Sequence, residues 1–197
     1  YRIYVPTDFW QSHDYKFLLA LHGAGGDENY YPENGAGSFK SAAERMGYLF
    51  AAPKGNARYR NGGEYDLRQL VEIVKREYPN ISPDRCYCTG VSMGGAGTYK
   101  MATTFPGLFR AIACVSSGGG WDWREERIEN LKNTPVLILH GATDGVAPVQ
   151  LAKDLDAALE ERGFRRELVI YPKYGHGYNG SEYLERTHQF FTEIENK

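Results

Sequence analysis

The sequence predicts an α/β fold, with a mostly parallel, twisted sheet covered by helices on both faces. Short apolar runs, many of them four or five residues long, recur along the chain, as expected of strands buried on both faces. Segments with apolar residues at helical spacing lie between several of these runs. Strands that alternate with helices form right-handed βαβ units, which place helices on both sides of a parallel sheet. Because 197 residues are about the length of one domain, we expect residues 1–197 to form a single domain.

Seven segments are predicted to be strands, beginning with a short strand in Tyr1–Pro6. The other six are Phe17–Leu21, Leu49–Ala52, Cys86–Val91, Ala111–Val115, Val136–Leu139 and Leu168–Tyr171. The three cysteines, Cys86, Cys88 and Cys114, all fall within these strands, where free thiols pack as small hydrophobic groups. An odd number of cysteines in strand interiors does not indicate a disulfide framework.

Three helices are predicted from apolar stripes, and a fourth from its position. The stripes lie in Leu67–Val74, Leu151–Leu159 and Leu184–Ile194. Asp66 is the expected N-cap of the first helix. The second is expected to begin at Pro148 and to end before Gly163. A fourth helix-compatible run, Gly95–Thr104, directly follows a glycine-rich turn.

Charge and hydropathy exclude two classes of partner. The chain has 23 Lys and Arg against 25 Asp and Glu, a net charge of −2, which argues against a strongly basic nucleic-acid-binding protein. No apolar run exceeds five residues, far short of the roughly 20 needed for a membrane-spanning helix. The chain begins at Tyr1 within a strand-like pattern, as expected of a chain trimmed or processed from a longer one. We therefore expect a small-molecule partner rather than a nucleic acid or a membrane.

One motif indicates a nucleophile. Ser92 lies in the pattern G-x-S-x-G formed by residues 90–94, between the strand Cys86–Val91 and the helix-compatible run Gly95–Thr104. This strand–turn–helix context is the one required for a nucleophile elbow, in which a sharp turn lifts the serine hydroxyl above the sheet. The glycines at 90 and 94 are needed because larger side chains would collide in so tight a turn. The alternative is a glycine-rich turn that happens to contain an ordinary serine.

A serine hydroxyl needs a base, and His176 is the expected one. It follows the last predicted strand and lies between two glycines, which suits a histidine on a loop that reaches back over the strand ends. Chain order supports it, because in this arrangement the histidine comes last. Among the others, His22 and His140 precede glycines at strand ends and are expected to be structural. His13 lies in a polar loop and His188 on the last helix.

The base needs an orienting acid, and Asp144 is the leading candidate. It follows the strand Val136–Leu139 by a few residues and precedes a helix, so its carboxylate could accept the ring N–H of the base. Asp122, after the preceding strand, is an alternative. Asp154 and Asp156 are better explained as solvated charges on a helix.

The oxyanion of the reaction requires two backbone N–H donors. The N–H of Met93, immediately after the expected nucleophile, is the first candidate. The second is expected in the glycine-rich loop His22–Asp27, which follows the strand Phe17–Leu21. Loops of this kind supply the N–H of the residue after His-Gly, here Ala24. A plain glycine turn is the alternative.

These segments together resemble the α/β-hydrolase fold with a minimal cap, from Phe17 to Phe191. Within that superfamily the sequence is similar to feruloyl-esterase and polyhydroxybutyrate-depolymerase-like serine esterases and to the phospholipase/carboxylesterase family. The detached catalytic domain of prolyl oligopeptidase-type peptidases shares much of the pattern. The resemblance implies ester hydrolysis through an acyl-enzyme on Ser92, without a metal or organic cofactor. The segments that carry it are Leu21–Asp27 (LHGAGGD), Ala52-Pro53, Asp84-Arg85, Gly90–Gly95 (GVSMGG) and Pro135–Asp144 (PVLILHGATD).

Aromatic residues are frequent in the loops expected at the substrate end of the sheet. Their faces would suit a planar acyl group such as a cinnamate, or would stack against sugar rings of a carbohydrate-linked ester. The alternative is that several of them merely cover the sheet edge. The predicted substrate-binding residues are Tyr30, Tyr31, Tyr59, Trp121, Trp123 and Tyr178.

The segment where many relatives carry a lid is short here. Only 16 residues, 119–134, separate Gly118 from Pro135, which leaves room for a small cap. We therefore expect a serine carboxylesterase acting on small soluble esters, including feruloyl or acetyl esters of plant polysaccharide. A peptidase or an acyltransferase is the alternative among enzymes. A non-catalytic binding protein on the same scaffold is the alternative outside them.

Overall fold

A single seven-stranded sheet organises the part of the chain that the computed structural model describes, residues 1–11, 14–33, 38–55, 59, 63–120, 125–177 and 181–196. The strands are β1 (Arg2–Tyr4), β2 (Tyr15–Leu21), β3 (Tyr48–Ala52), β4 (Ile81–Val91), β5 (Ala111–Val115), β6 (Val136–Gly141) and β7 (Arg166–Tyr171). Their order is β1-β3-β2-β4-β5-β6-β7. Only β1 is antiparallel to its neighbour. The predicted, mostly parallel sheet is confirmed.

All four predicted helices are present, although the one expected to begin at Pro148 begins at Gln150, and three further helices in the described residues were not predicted. The helices are α1 (Tyr30–Glu33), α2 (Ser38–Met46), α3 (Gly63–Glu77), α4 (Met93–Thr104), α5 (Glu125–Ile128), α6 (Gln150–Glu161) and α7 (Ser181–Glu195). The prediction that Asp66 caps α3 is wrong, because the helix begins at Gly63 and Asp66 lies within its first turn. A carboxylate there still faces the partial positive charge of the helix N-terminus. Among the described helices, none has the length and apolar character needed to cross a membrane.

Helices cover both faces of the sheet, so two apolar layers enclose it. On one face α3, α4 and α6 pack against alternate strand residues, for example Leu19 and Ile138. On the other face α2 and α7 pack against the residues between them, such as Leu18 and Leu137. Because neighbouring side chains of a strand point to opposite faces, strands buried on both sides are apolar without alternation. This explains the unbroken apolar runs of the sequence.

The register of the strands brings their carboxyl ends to one edge. Leu21 pairs with Gly90, and Val91 pairs with Val115, which in turn pairs with Leu139. The chain moves from β2 outward to β3 and then back to β4 on the other side, so the strand order reverses between β2 and β4. Ligands of open α/β sheets bind beyond the carboxyl ends at such a switch point. The loops after β2, β4, β6 and β7 carry the residues described next.

Candidate active site

Ser92 lies in a sharp turn between β4 and α4. Its backbone has φ 55° and ψ −116°, a conformation that side-chain-bearing residues rarely adopt. The Ser92 N–H donates to the carbonyl oxygen of Val115 at 2.8 Å, which attaches the turn to the neighbouring strand. This strained turn is the geometry of a nucleophile elbow, because it separates the serine side chain from the sheet below it.

Two glycines make this turn possible. A Cβ atom on Gly94 would overlap the carbonyl oxygen of Leu21, at the end of β2. A Cβ atom on Gly90 would overlap the carbonyl oxygen of Gly94 itself. The first turn of α4 therefore lies directly against the ends of two strands, at a distance that only glycine, which has no Cβ atom, permits. The G-x-S-x-G pattern is thus explained by backbone contacts on both sides of Ser92.

Ser92, His176 and Asp144 form one hydrogen-bonded chain. His176 Nε2 lies 2.8 Å from Ser92 Oγ. His176 Nδ1 lies 2.8 Å from Asp144 Oδ2 and 3.0 Å from Asp144 Oδ1. Since a carboxylate only accepts hydrogen bonds, Nδ1 carries the ring proton and Nε2 is left to accept the serine hydroxyl. In this arrangement His176 can accept the proton of the Ser92 hydroxyl while Asp144 orients the ring.

The Asp144 carboxylate is enclosed and held by backbone donors. Its side chain is 0% exposed, whereas that of His176 is 25% exposed. Oδ1 accepts the N–H groups of Val146 at 2.9 Å and Ala147 at 2.8 Å. Burial opposes the negative charge, but the Ala147 N–H, the His176 ring and the Val146 N–H outweigh it and lower the pKa of this carboxyl. Asp144 is therefore an anion that can orient His176 and stabilise its protonated form.

His140 is a further contact of the acid, one that the sequence suggested only as structural. Its Nε2 lies 2.9 Å from the carbonyl oxygen of Ala147 and 3.3 Å from Asp144 Oδ2, and its side chain is 0% exposed. Both neighbours of Nε2 only accept, so this nitrogen carries a proton and donates toward them. His140 therefore links the acid-bearing loop to β6. The sequence feature that could have indicated this contact is the position of His140 at a strand end, four residues before Asp144.

The loops of Asp144 and His176 are joined to each other. The carbonyl oxygen of Tyr174 accepts the backbone N–H of Thr143 at 3.1 Å and its hydroxyl at 2.8 Å. A Cβ atom on Gly141 would overlap the carbonyl oxygens of Tyr174 and Gly175, so the loops can approach only because residue 141 is glycine. These contacts fix the acid loop against the residues that lead to His176.

The loop after β2 lies beside the nucleophile. A Cβ atom on Gly23 would be 3.6 Å from the Ser92 Cβ, so the two segments are nearly in contact. The loop is closed by a hydrogen bond from the Gly26 N–H to the Gly23 carbonyl at 3.1 Å. His22 is buried beneath it, with Nε2 2.8 Å from the carbonyl oxygen of Lys54. The loop that was predicted to contribute a donor is therefore next to Ser92.

The two predicted donors have no competing acceptor in the described structure. Met93 is the first residue of α4, and the N–H of a first helical residue has no partner within its helix. Ala24 is exposed, and its N–H donates to none of the described groups. Both remain predictions as oxyanion donors. They lie on the two segments that meet at Ser92.

The predicted substrate-binding aromatics divide into three groups. Tyr31 is 1% exposed and donates its hydroxyl to the carbonyl oxygen of Leu21, and Tyr59 is 2% exposed beside His22. These two tyrosines pack in the core, which corrects their assignment as substrate contacts. Tyr30 is partly exposed after the loop of Ala24 and stays a prediction. Trp121, Trp123 and Tyr178 lie outside the described residues.

The other acids considered from the sequence have different environments. Asp154 is exposed on α6 and accepts the side-chain amide of Gln150 at 2.7 Å. Asp156, on the same helix, pairs with Arg166 at 3.2 Å. Asp122 lies outside the described residues. Within the described ranges, no group of three or more His, Cys, Asp or Glu side chains could hold a metal ion.

Comparison with known families identifies the chain. The model of the Dienelactone hydrolase family matches residues 34–189. The chain belongs to this family. The match covers most of the sequence, including all three residues of the hydrogen-bonded chain. The resemblance to the α/β-hydrolase superfamily is thereby confirmed.

Curated relatives of this family member include proteins named as esterases. It is 28% identical over 158 residues to a probable feruloyl esterase C of Aspergillus terreus, which covers 76% of this chain and 56% of the relative. It is 27% identical over 154 residues to the bifunctional acetylxylan esterase/xylanase XynS20E of Neocallimastix patriciarum, covering 75% of this chain and 22% of the relative. The chain thus spans about half the length of the feruloyl esterase and less of the bifunctional protein.

Solved structures support the fold. A truncated carbohydrate esterase from gut microbiota superposes with a TM-score of 0.79 at 17% identity, over 99% of this chain and 90% of the other. At that identity the likeness concerns the fold alone. The chain therefore has the α/β-hydrolase fold, with the carboxyl ends of its strands carrying the site described above.

Proposed function

We propose that this chain is a serine carboxylesterase that hydrolyses small soluble esters through an acyl-enzyme on Ser92. The observation that carries the proposal is the continuous hydrogen-bonded chain from Ser92 Oγ through the His176 ring to the buried Asp144 carboxylate. A histidine within 2.8 Å of the serine oxygen can accept its proton as the bond to the ester carbonyl forms. The strained turn keeps this hydroxyl at the carboxyl edge of the sheet.

The proposed reaction has two steps that use the same residues. Ser92 Oγ attacks the ester carbonyl while His176 Nε2 takes the hydroxyl proton, and Asp144 stabilises the imidazolium. The N–H groups of Ala24 and Met93 would hold the oxyanion of the tetrahedral intermediate. His176 then gives the proton to the leaving alcohol. Water hydrolyses the acyl-enzyme with His176 again acting as base, which restores the Ser92 hydroxyl.

Two considerations favour small esters, with feruloyl and acetyl esters of polysaccharide as the leading class. The segment between Gly118 and Pro135 is too short for a separate lid domain. The names of the curated relatives include a feruloyl esterase and an acetylxylan esterase. Tyr30, which is partly exposed after the loop of Ala24, is the described aromatic residue that remains a candidate for contact with the acyl group.

An ester series on the purified chain tests the proposal. We expect kcat/KM to be highest for acetyl, short acyl and feruloyl esters and to fall as the acyl chain lengthens. Acetylated xylan is tested beside these esters. The Ser92→Ala variant is expected to be folded, as checked by circular dichroism, and to hydrolyse none of the esters. Turnover retained in this variant would overturn the mechanism. Activity that rises steadily toward long acyl chains would overturn the substrate class.

Matched amides separate esterase from peptidase activity. Each aryl ester is compared with the anilide that has the same acyl group. We expect hydrolysis of the ester and little or none of the anilide. Faster cleavage of the anilide would favour a peptidase, for which the same hydrogen-bonded chain would serve.

A further inference from the structure

Ser116 occupies a strained backbone position one residue beyond the end of β5. Its φ is 50°, and its side chain is fully buried. Within the described chain, the other non-glycine residues with positive φ are Ser92 and Tyr59. Such strain persists only where the surrounding contacts hold it, and it concentrates at functional sites. Ser116 therefore needs an explanation of its own, because the proposed reaction does not use it.

The Ser116 hydroxyl contacts the residue that follows His176. Its Oγ accepts the backbone N–H of Gly177 at 3.1 Å and lies 3.5 Å from the Gly177 carbonyl oxygen. Gly177 has φ +98°, a conformation reserved almost entirely for glycine, at the point where the chain turns after the histidine. The hydroxyl thus holds the backbone directly next to the proposed base.

The same stretch of backbone also holds the nucleophile turn. The carbonyl oxygen of Val115 accepts the N–H of Ser92 at 2.8 Å, and the Ser116 N–H donates to the carbonyl oxygen of Leu139 at 2.8 Å. The two consecutive residues 115 and 116 therefore contact the turn of Ser92, the loop of His176 and the strand that leads to Asp144.

The residue type at this position supports a role for the hydroxyl. A glycine would adopt the positive φ without strain, and the chain does place glycines at positions 118 and 120, where φ is also positive. A glycine at 116 would have no acceptor for the Gly177 N–H. The strain of a serine in this position is offset by a contact that glycine could not make.

We propose that Ser116 is a positioning residue that holds His176 at hydrogen-bond distance from Ser92 through its contact with Gly177. The proposal rests on the proposed function of Ser92 and His176. A small displacement of a catalytic group can lower kcat by about 100-fold without weakening substrate binding. Loss of the Ser116 hydroxyl should therefore act on kcat more than on KM.

Two substitutions separate the hydroxyl from the backbone strain. Ser116→Ala keeps the strain and removes the hydroxyl, whereas Ser116→Gly removes both. We expect both to lower kcat for a short aryl ester by about 10- to 100-fold, with KM within about 3-fold of the unchanged chain. Equal kcat in the glycine variant and the unchanged chain would overturn the proposal.

A second measurement decides the question independently of ester hydrolysis. Hydrogen exchange of the Gly177 amide, followed by NMR, reports the contact itself, because this N–H is protected by Ser116 Oγ. We expect faster exchange in Ser116→Ala and Ser116→Gly than in the unchanged chain. Exchange that is the same in all three proteins would overturn the proposal. If no ester is hydrolysed but the exchange changes as expected, the proposed function fails while the positioning contact stands.

Discussion

The carboxyl edge of the sheet and the layer beneath α7 are built by different physical means. At the edge, Ser92 and Ser116 have strained backbones, and Gly94 leaves no room for a Cβ atom. Beneath α7, Phe191 stacks on Tyr87 with ring centroids 4.5 Å apart, both of them buried in unstrained strand and helix positions. The edge is held by close backbone contacts that allow only one backbone conformation, whereas the layer beneath α7 is held by burial of apolar side chains.

This difference predicts two kinds of response to substitution. A contact between backbone atoms cannot adjust to an added methyl group, so a change at the edge should alter geometry and activity together. Apolar packing tolerates changes that keep volume and hydrophobicity, at a modest cost in stability. Substitutions in the α7 layer should therefore lower the free energy of unfolding while leaving kcat nearly unchanged.

After removal of the nucleophile itself, the largest effect is expected from Asp144→Asn. The amide would present its NH₂ group either to the donors Val146 and Ala147 or to the His176 ring, and each choice sets two donors against each other. We expect kcat to fall by about 10³- to 10⁴-fold, because the wrong ring tautomer is then favoured. Steady-state kinetics on a short ester measures this.

Asp154→Asn is the matched control for that substitution. Asp154 is exposed on α6 and accepts one hydrogen bond from Gln150. The kcat of the Asp154→Asn variant should equal that of the unchanged chain. A similar loss of activity in the two variants would mean that Asp144 has no special role.

Gly94→Ala should show that the edge does not adapt. The added methyl group would overlap the Leu21 carbonyl oxygen, so the first turn of α4 must move away from β2. We expect a loss of about 3 kcal/mol in the free energy of unfolding, at the upper end of the usual cost of overpacking. Urea denaturation measures it. Gly145→Ala is the control, since a Cβ atom there has no neighbour within 4 Å, and its stability should be nearly unchanged.

Phe191→Leu tests the tolerance of the other region. Phe191 is 1% exposed, and the substitution removes its stacking on Tyr87 while keeping an apolar side chain. We expect the free energy of unfolding to fall by about 1 kcal/mol, with kcat within 2-fold of the unchanged chain. If kcat of the folded variant fell by much more than 2-fold, the distinction between the two regions would not hold.

The smallest effect concerns pH, through His188 on α7. Burial first, and then the charges of Lys16 and Arg45, lower the pKa of His188, while Glu195 partly offsets them. The unfolded chain, with an ordinary histidine pKa of about 6.5, therefore binds more protons than the folded chain as pH falls below that value. His188 should thus cost stability as the pH decreases through 6.5 toward its lowered pKa.

Thermal unfolding of the unchanged chain and His188→Asn checks this sign. Between pH 7.5 and pH 5.5 the unchanged chain should lose about 1–3 °C more in Tm than the variant does. Parallel losses in the two proteins would show that His188 does not titrate differently on folding.

The fold could be predicted from the sequence because strands buried on both faces must be apolar without interruption. The strands β2 to β7 follow from apolar runs, whereas β1 is short and partly exposed and was predicted only from a strand-like pattern at the start of the sequence. The helix α2 was missed, since its apolar face consists of Phe39, Ala42 and Ala43 within nine residues, too few for a clear stripe. The start of α3 was placed at Asp66 because a carboxylate suits both an N-cap and a first turn. Residue type alone does not distinguish these positions.

The candidate site could be predicted only where chain order limits the choice. Ser92, Asp144 and His176 each follow a different strand, so few residues compete for each role. Ser116 could not be predicted, because serine, unlike glycine, does not indicate a positive φ. The burial of Tyr31 and Tyr59 depends on contacts with loops that are distant in sequence.

The most direct test of the central claim is covalent labelling with a fluorophosphonate probe, followed by mass spectrometry of the intact chain and its peptides. The probe reacts with a serine only where a base and an oxyanion site activate it. The account predicts one adduct per chain, on Ser92, and none on the folded Ser92→Ala variant. Equal labelling of the two proteins, or an adduct on another residue, would contradict it.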